Sequence, residues 1–521
     1  MNPAEGRERA PSRTAAWMFA GLLAAGTFLR LADLENRPLH GDEAVGASLS
    51  NEVRDTGSFV YVSANRHGPF QYFLGGAVMA LGGESDFWIR LPFALAGCLL
   101  PLAFLPLRGR LGDPGWVLSA GLLAFSPLLV YYSRYAIQEI HLTLATALLL
   151  GCAAAFFSGG RGALIAGTLL AAAWMITVKE TFVLIWGCGA MALAMGALLG
   201  GARFRSALLQ GIRRAARRPA VAMAGAGAGL VLFAAAYTDL FRDSSGLGNL
   251  ARNLREMLAS GATGSGAVVL HRHPPSFYLS LLLHYEGLIL VLALAGAWSA
   301  FRSRRPFPLF VALYALLAGA VHLALPYKTP WLLLTPLLPL ALLAGYGGGE
   351  LWESLGRTWE RRLPLPAILL VVLLPLPRTL LLNFARPADP VNEPLVYHQT
   401  GQEQVDLARE IRRVLAGVPT GVYPRAVICL PYAWPLAWYL RDEPGVVYSK
   451  APAAGGLEQV PVLVTLESAD RKFLEVFTGS TLIPPFSPPG YVGWTYVLVP
   501  PEYMVARLWI RSDLASPPAG R

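Results

Sequence analysis

The chain has 521 residues, 54% of them hydrophobic and only 15% charged, with a mean hydropathy of +0.46. Soluble domains carry about 25% charged residues, so that class is excluded. The net charge of +10 comes largely from arginines in short connectors between apolar runs, a pattern that orients membrane spans and argues against a nucleic-acid partner. Cys98, Cys152, Cys188 and Cys429 show no CxxC or Cys/His zinc spacing and no disulfide framework.

In chain order, the polar, arginine-bearing start leads into a first span, Ala15 to Leu31. No small-residue cleavage site follows, so this span is expected to be retained. Arg7, Arg9 and Arg13 precede it, which predicts a cytoplasmic N-terminus. The motif His40-Gly41-Asp42-Glu43-Ala44 then faces the other side. The apolar stretch Pro69 to Leu81 is short, about 13 residues, and reads as a re-entrant or juxtamembrane helix.

With that choice the arginine clusters alternate in order. Spans are expected at Leu91 to Leu107, Trp116 to Tyr132, Ile140 to Phe157, Ala163 to Val178 and Phe182 to Leu199. The most basic connector follows, with Arg203, Arg205, Arg213, Arg214, Arg217 and Arg218. Further spans are Ala220 to Tyr237, Phe277 to Ala300, Phe307 to Leu325, Pro330 to Tyr346 and Leu363 to Leu382, about eleven in all. The fold class is therefore a polytopic α-helical membrane protein, residues 1–382, followed by an extracytoplasmic domain, residues 383–521.

In that tail, Asp406 to Leu415 has helical periodicity and Trp434 to Leu440 suggests a short helix. Ala426 to Leu430, Val446 to Tyr448, Val460 to Thr465 and, as the last strand, Trp494 to Val499 read as strands. Alternating strands and helices predict a small α/β domain.

The unusual polar motifs fall on the outer side. They include Asn65-Arg66-His67-Gly68-Pro69, Ser133 to Glu139, Lys179-Glu180-Thr181, Asp239 to Asp243, His284-Tyr285-Glu286 and Tyr327-Lys328-Thr329-Pro330. Carboxylates and cations at one membrane face suit a single task. Cations hold a phosphate leaving group while a carboxylate takes the proton of an incoming hydroxyl. Arg134 at a span end also fits an interfacial anchor, Lys179 a partner for a nearby acid, and Lys328 a snorkelling side chain. If a divalent cation such as Mg2+ or Mn2+ takes part, Asp42 and Glu43 are the ligands on offer.

An acidic pair after the first span, His67-Gly68-Pro69-Phe70-Gln71-Tyr72, Arg90-Leu91-Pro92-Phe93 and Ser133-Arg134-Tyr135 together resemble the GT-C superfamily of membrane glycosyltransferases. That superfamily includes protein O-mannosyltransferases and aminoarabinose transferases. Tyr327-Lys328-Thr329-Pro330-Trp331, Glu393 to Tyr397 and Trp434 to Arg441 are similar to its Agl23-like, flippase activity-associated branch. The resemblance implies an exoplasmic active site in a bacterial or archaeal plasma membrane and a polyprenyl-phosphate-linked sugar donor. The acceptor would be a glycan, lipid or protein. It implies Asp42 as the catalytic acid with Glu43 beside it, and Arg134, Lys179 and Lys328 as holders of the lipid phosphate; Arg66 and His67, basic residues of the same face, are added to them. Glu139, Glu180 and Tyr327 are further site candidates. The chain departs from the mannosyltransferase pattern with Gly68 in place of a proline and Glu139 in place of an aspartate. The same outer face also suits a non-catalytic component of lipid-linked oligosaccharide export, or a scaffold whose tail binds cell-wall glycan.

Overall fold

The computed structural model describes residues 11–62, 67–157, 159–260, 270–358, 367–449, 459–478, 486–500 and 503–515. The chain divides into two compact units. The first comprises Met1–Leu34, Ser50–Ala262 and His273–Ala385, and the second Glu35–Leu49, Thr263–Arg272 and Arg386–Arg521. The break thus falls at Ala385/Arg386, and the segment bearing Asp42 groups with the tail.

Nine helices among the described residues are long and apolar enough to cross a membrane. The first helices are α1 (Arg13–Leu31), α2 (Gly41–Thr56), α3 (Phe70–Gly82) and α4 (Asp86–Leu99). Next come α5 (Arg108–Phe125), α6 (Pro127–Ser133), α7 (Glu139–Phe157) and α8 (Ala163–Val178). They are followed by α9 (Phe182–Leu199), α10 (Gly201–Ala216), α11 (Pro219–Tyr237) and α12 (Ser245–Ser260). Ser12 caps α1 by accepting from the Ala15 amide at 3.2 Å. One apolar stretch, Asp86–Phe125, is 40 residues long. It turns at Gly112, whose φ of 65° is open to glycine at no steric cost. Counting it as two passes and adding the shorter α8 recovers the eleven expected spans, and α3 is the short helix expected at Pro69 to Leu81.

Two expectations need correction. Trp116 to Tyr132 is not one span: α5 ends at Phe125, and Ser126 caps a separate α6 by accepting from Leu129 N at 3.1 Å. His284-Tyr285-Glu286 is not a loop either, but lies inside the helix Pro275–Ser303, whose backbone breaks at Glu286.

Helix ends within an apolar bundle need donors and acceptors, because each end leaves four backbone groups unpaired. Three buried arginines supply donors. Arg30 donates to Ala124 O at 3.0 Å and Leu123 O at 2.8 Å, near the end of α5. Arg90 donates to Leu34 O at 2.7 Å, just beyond α1. Arg134 donates to Leu29 O at 3.0 Å, to Ala32 O and to Asp33 O at 2.7 Å, closing the end of α1. Glu286 does the opposite at the start of α6, accepting from Ser126 Oγ at 2.6 Å and Leu128 N at 3.0 Å. Small residues bring spans together. A Cβ on Gly225 would meet Ala166 Cα at 2.4 Å and one on Gly229 would meet Ala173 Cβ at 2.8 Å, so α11 and α8 approach along a glycine-x3-glycine face.

The second unit is an α/β domain. Its strands are β1 (Ala426–Cys429), β2 (Val446–Ser449), β3 (Val462–Ala469), β4 (Tyr491–Val499) and β5 (Met504–Arg511). They form one sheet in the order β2-β1-β3-β5-β4, parallel on the β2-β1-β3 side and antiparallel through β5 and β4. The helix Gln402–Leu415 packs Leu407, Ile411 and Leu415 into a core with Ile428, Val464 and Leu508. Trp494 to Val499 is therefore not the last strand. β5 follows it and sits between β3 and β4.

Candidate functional site

In the second unit, α2 begins at the predicted acidic motif. His40 and Glu43 form a reciprocal cap: Asp42 N donates to His40 Nδ1 at 3.0 Å, and His40 N donates to Glu43 Oε2 at 2.9 Å. This is a capping box with histidine where serine or threonine is usual. Glu43 is fully buried, so the structure gives this expected catalytic partner a structural post. Burial lowers the His40 pKa, opposed by Asp42 and Glu43 and by a hydrogen bond to the His398 backbone. The lowered value matches the acceptor role, since protonated Nδ1 could not take the Asp42 amide.

The rest of the motif is held by the tail. Leu39 N donates to the Tyr439 hydroxyl at 2.8 Å and Gln399 Nε2 donates to Pro38 O at 2.9 Å. A Cβ on Gly41 would lie 2.4 Å from the Tyr432 hydroxyl, so a larger residue there would have to displace that ring. Gln399 and Tyr432 carry no signal in the sequence, and Tyr439, although within the Trp434 to Arg441 motif, has no local pattern linking it to a motif so far upstream. Asp42 itself stands out. Its side chain is 54% exposed, and its carboxylate lies 3.9 Å from His40 Nδ1, beyond hydrogen-bond range.

A pH prediction follows from the cap. His40 has a depressed folded pKa, so both states are neutral above the unfolded value of about 6.5. Below it the unfolded chain binds the proton first, and the stability present above that value is lost as pH falls through the folded pKa. Thermal midpoints of the wild type should fall on acidification, and His40→Asn, a good cap without a titrating ring, should flatten that part of the curve.

In the first unit, several of the predicted outer loops meet in one polar network. Gly68 N donates to Val178 O at 3.1 Å, and a Cβ on Gly68 would lie 2.2 Å from Thr177 O. This glycine is what lets the His67 loop lie on the end of α8. His67 Nδ1 then faces Glu180 Oε2 at 3.3 Å. Tyr61 donates its hydroxyl hydrogen to Glu180 Oε1 at 2.8 Å and accepts from Asn253 Nδ2 at 2.5 Å. Burial alone would raise the Glu180 pKa, but His67 and Tyr61 outweigh it and the net direction is down. Asp239 ties down the same strand of chain, accepting from Phe59 N at 2.8 Å and Ser58 Oγ at 2.6 Å.

Next to this, Lys179 is ion-paired with Glu139, both buried, and among the described residues Glu139 Oε2 has no hydrogen-bond partner. Trp331 packs on Tyr132 and Tyr135, joining the Tyr327-Lys328-Thr329 loop to the loop of Arg134 and Glu139. Lys328 is buried. It donates to Leu325 O and lies 5.9 Å from the centroid of the Tyr278 ring. Among the described residues no carboxylate pairs with it. Arg134, expected at a phosphate, directs both terminal nitrogens to carbonyls at the end of α1. Tyr327 lies in this loop, and Arg66 lies outside the described residues.

As placed, Asp42 and Glu43 do not fit a resident divalent cation. Glu43 is turned back onto its own helix start, and among the described residues no three His, Cys, Asp or Glu side chains gather at one point.

No family model matches the chain, and no curated protein does. Solved structures do. ArnT from Cupriavidus metallidurans matches with a TM-score of 0.62 at 15% identity over 97% of this chain and all of that one. The same protein bound to undecaprenyl phosphate matches with a TM-score of 0.61. The archaeal oligosaccharyltransferase AglB from Archaeoglobus fulgidus, in complex with an inhibitory peptide and a dolichol-phosphate, matches with 0.56 at 14% identity over 97% of this chain and 75% of that one. The likeness is one of fold: a helical bundle with apolar spans followed by a C-terminal sheet domain.

Proposed function

We propose that the protein is an inverting glycosyltransferase that moves a sugar from a polyprenyl-phosphate donor to an acceptor hydroxyl at the exoplasmic face of a prokaryotic plasma membrane. The observation that carries this reading is Asp42, a half-exposed carboxylate that accepts no hydrogen bond among the described residues, at the head of a helix where His40 and Glu43 are tied into the cap. A carboxylate left open at the end of a rigid helix is suited to take a proton from an incoming group. The shared fold with proteins solved in complex with undecaprenyl phosphate and dolichol-phosphate supports the donor class.

In the reaction the acceptor oxygen attacks the anomeric carbon, the bond from that carbon to the phosphate oxygen breaks, and the acceptor proton passes to Asp42. The electron pair of the broken bond leaves with the polyprenyl phosphate, where new negative charge must be met by fixed cations. Lys328 and Lys179 are the cations of the first unit assigned to that phosphate, with His67 as a further hydrogen-bonding group. Arg134 acts as a positioning residue, through α1. Lys328 carries the largest share, because its ammonium is buried against a carbonyl and a ring face.

Incubating the purified protein with a polyprenyl-phosphate sugar and measuring release of polyprenyl phosphate tests the reading. Lys328→Gln should raise donor KM about tenfold, the worth of one charge-assisted hydrogen bond. Donor that crosses a liposome membrane with its sugar bond intact would replace transfer by transport.

A further inference from the structure

The most basic stretch of the chain plays no part in that chemistry. Arg203, Arg205, Arg213, Arg214, Arg217 and Arg218 lie on or just after α10, and no acidic residue occurs between Glu180 and Asp239. Among the described residues none of the six makes an ion pair. Arg214 donates to Phe156 O at 2.7 Å and Arg205 to Ala197 O at 3.4 Å, whereas Arg203, Arg213 and Arg217 are exposed and make no hydrogen bond among the described residues.

The helix is fixed in place by two close fits. The Phe204 ring sits where a Cβ on Gly196 would be, 2.4 Å away, and Gly211 lies against the Phe157 ring, 1.8 Å from its own would-be Cβ. α10 therefore packs where α7 and α9 end and α11 begins, at the level where three apolar spans stop.

At 3.6 residues per turn the remaining surface splits into two stripes. Arg205 near the helix start, then Leu209, Ile212 and Ala216, fall on one flank, with Leu209 50% and Ile212 51% exposed and Arg205 donating to Ala197 O. Arg203, Gln210, Arg213 and Arg217, spaced seven, three and four apart, fall on the other. A helix with one face on protein, one apolar and one cationic has the profile of an element lying in a bilayer interface.

We propose that α10 is an interfacial helix that binds an anionic lipid surface, Leu209 and Ile212 entering the acyl boundary and Arg203, Arg213 and Arg217 taking lipid phosphates. Charge selects this occupant: unpaired guanidiniums at the end of apolar spans match phosphate headgroups, to which arginine bonds in a fork. The proposal is independent of the transferase reading.

The full chain is placed in nanodiscs of phosphatidylcholine, with or without phosphatidylglycerol, and amide exchange is followed over residues 201–218. Exchange should slow about tenfold or more in the anionic discs, and added salt should reverse the difference. Arg203→Gln with Arg213→Gln and Arg217→Gln should abolish the difference while leaving exchange in neutral discs and in α9 unchanged. Leu209→Ser with Ile212→Ser should weaken protection in both discs. Equal exchange in the two compositions, a difference indifferent to salt, or a difference retained by the triple variant overturns the proposal. The wild-type salt series needs no variant, so it decides even if the triple variant misfolds.

Discussion

Asp42→Asn should leave a folded protein that binds donor and transfers about a hundredfold to ten-thousandfold less sugar, the usual worth of a positioned general base. The change keeps the shape of the side chain and removes only its charge and basicity. Among the described residues the Asp42 carboxylate accepts no hydrogen bond, and the reciprocal cap of α2 uses His40 and Glu43 together with the Asp42 backbone, which Asn retains. A carboxylate in the first turn of a helix is worth about 0.3–1 kcal/mol through the helix dipole, so the thermal midpoint should move little. Measured donor consumption equal to wild type, at an unchanged midpoint, would remove Asp42 from the mechanism. Glu43→Gln provides the contrast. It should cost stability through the cap, and any loss of activity should follow that stability.

Lys179→Met should destabilise the protein by about 3–5 kcal/mol, because it strands the buried Glu139 carboxylate without its cation. Glu139 Oε2 already lacks a hydrogen-bond partner, so the remaining oxygen has little else to compensate it. The double variant Lys179→Met with Glu139→Gln should regain much of that loss, since it removes both charges together. Thermal or denaturant midpoints in one detergent report this directly. The double variant also separates two roles for Lys179. If stability returns and transfer does not, the ammonium acts on the donor phosphate; if both return, its work is structural. A Lys179→Met protein as stable as wild type would show that the pair does not hold charge in the folded state.

The membrane half of the fold was legible in the sequence because a bilayer imposes a length and arginines impose a direction. Spans such as Glu139–Phe157 and Phe182–Leu199 begin and end close to where their apolar runs do. The break at Ser126-Pro127 was hidden because apolar residues continue across it, and only the cap geometry reveals two helices. β5 was missed for a related reason: Met504, Val505 and Ala506 are all buried, as are Leu508, Trp509 and Ile510, so no alternation of period two marks a strand packed on both faces. At the site, the residue types of the outer loops were legible but their partners were not. His-x-x-Glu at positions 40–43 already carries the spacing of a capping box, a sign that Glu43 serves the helix. Nothing local to Arg134 points to carbonyls about a hundred residues earlier, and nothing near Gly41 points to Tyr432.

The way α1 ends has a consequence for how the chain is made. Its last carbonyls take their donors from Arg134, which is 105 positions from Leu29 and 101 from Asp33. Translation therefore delivers α1 to the membrane well before the side chain that completes it. Until the loop after α6 emerges, the end of α1 must stay within reach of water or headgroups, because bare carbonyls are not tolerated in the hydrocarbon layer. The first span can settle to its final depth only after later spans have been threaded, so biogenesis of this bundle closes back on its own beginning.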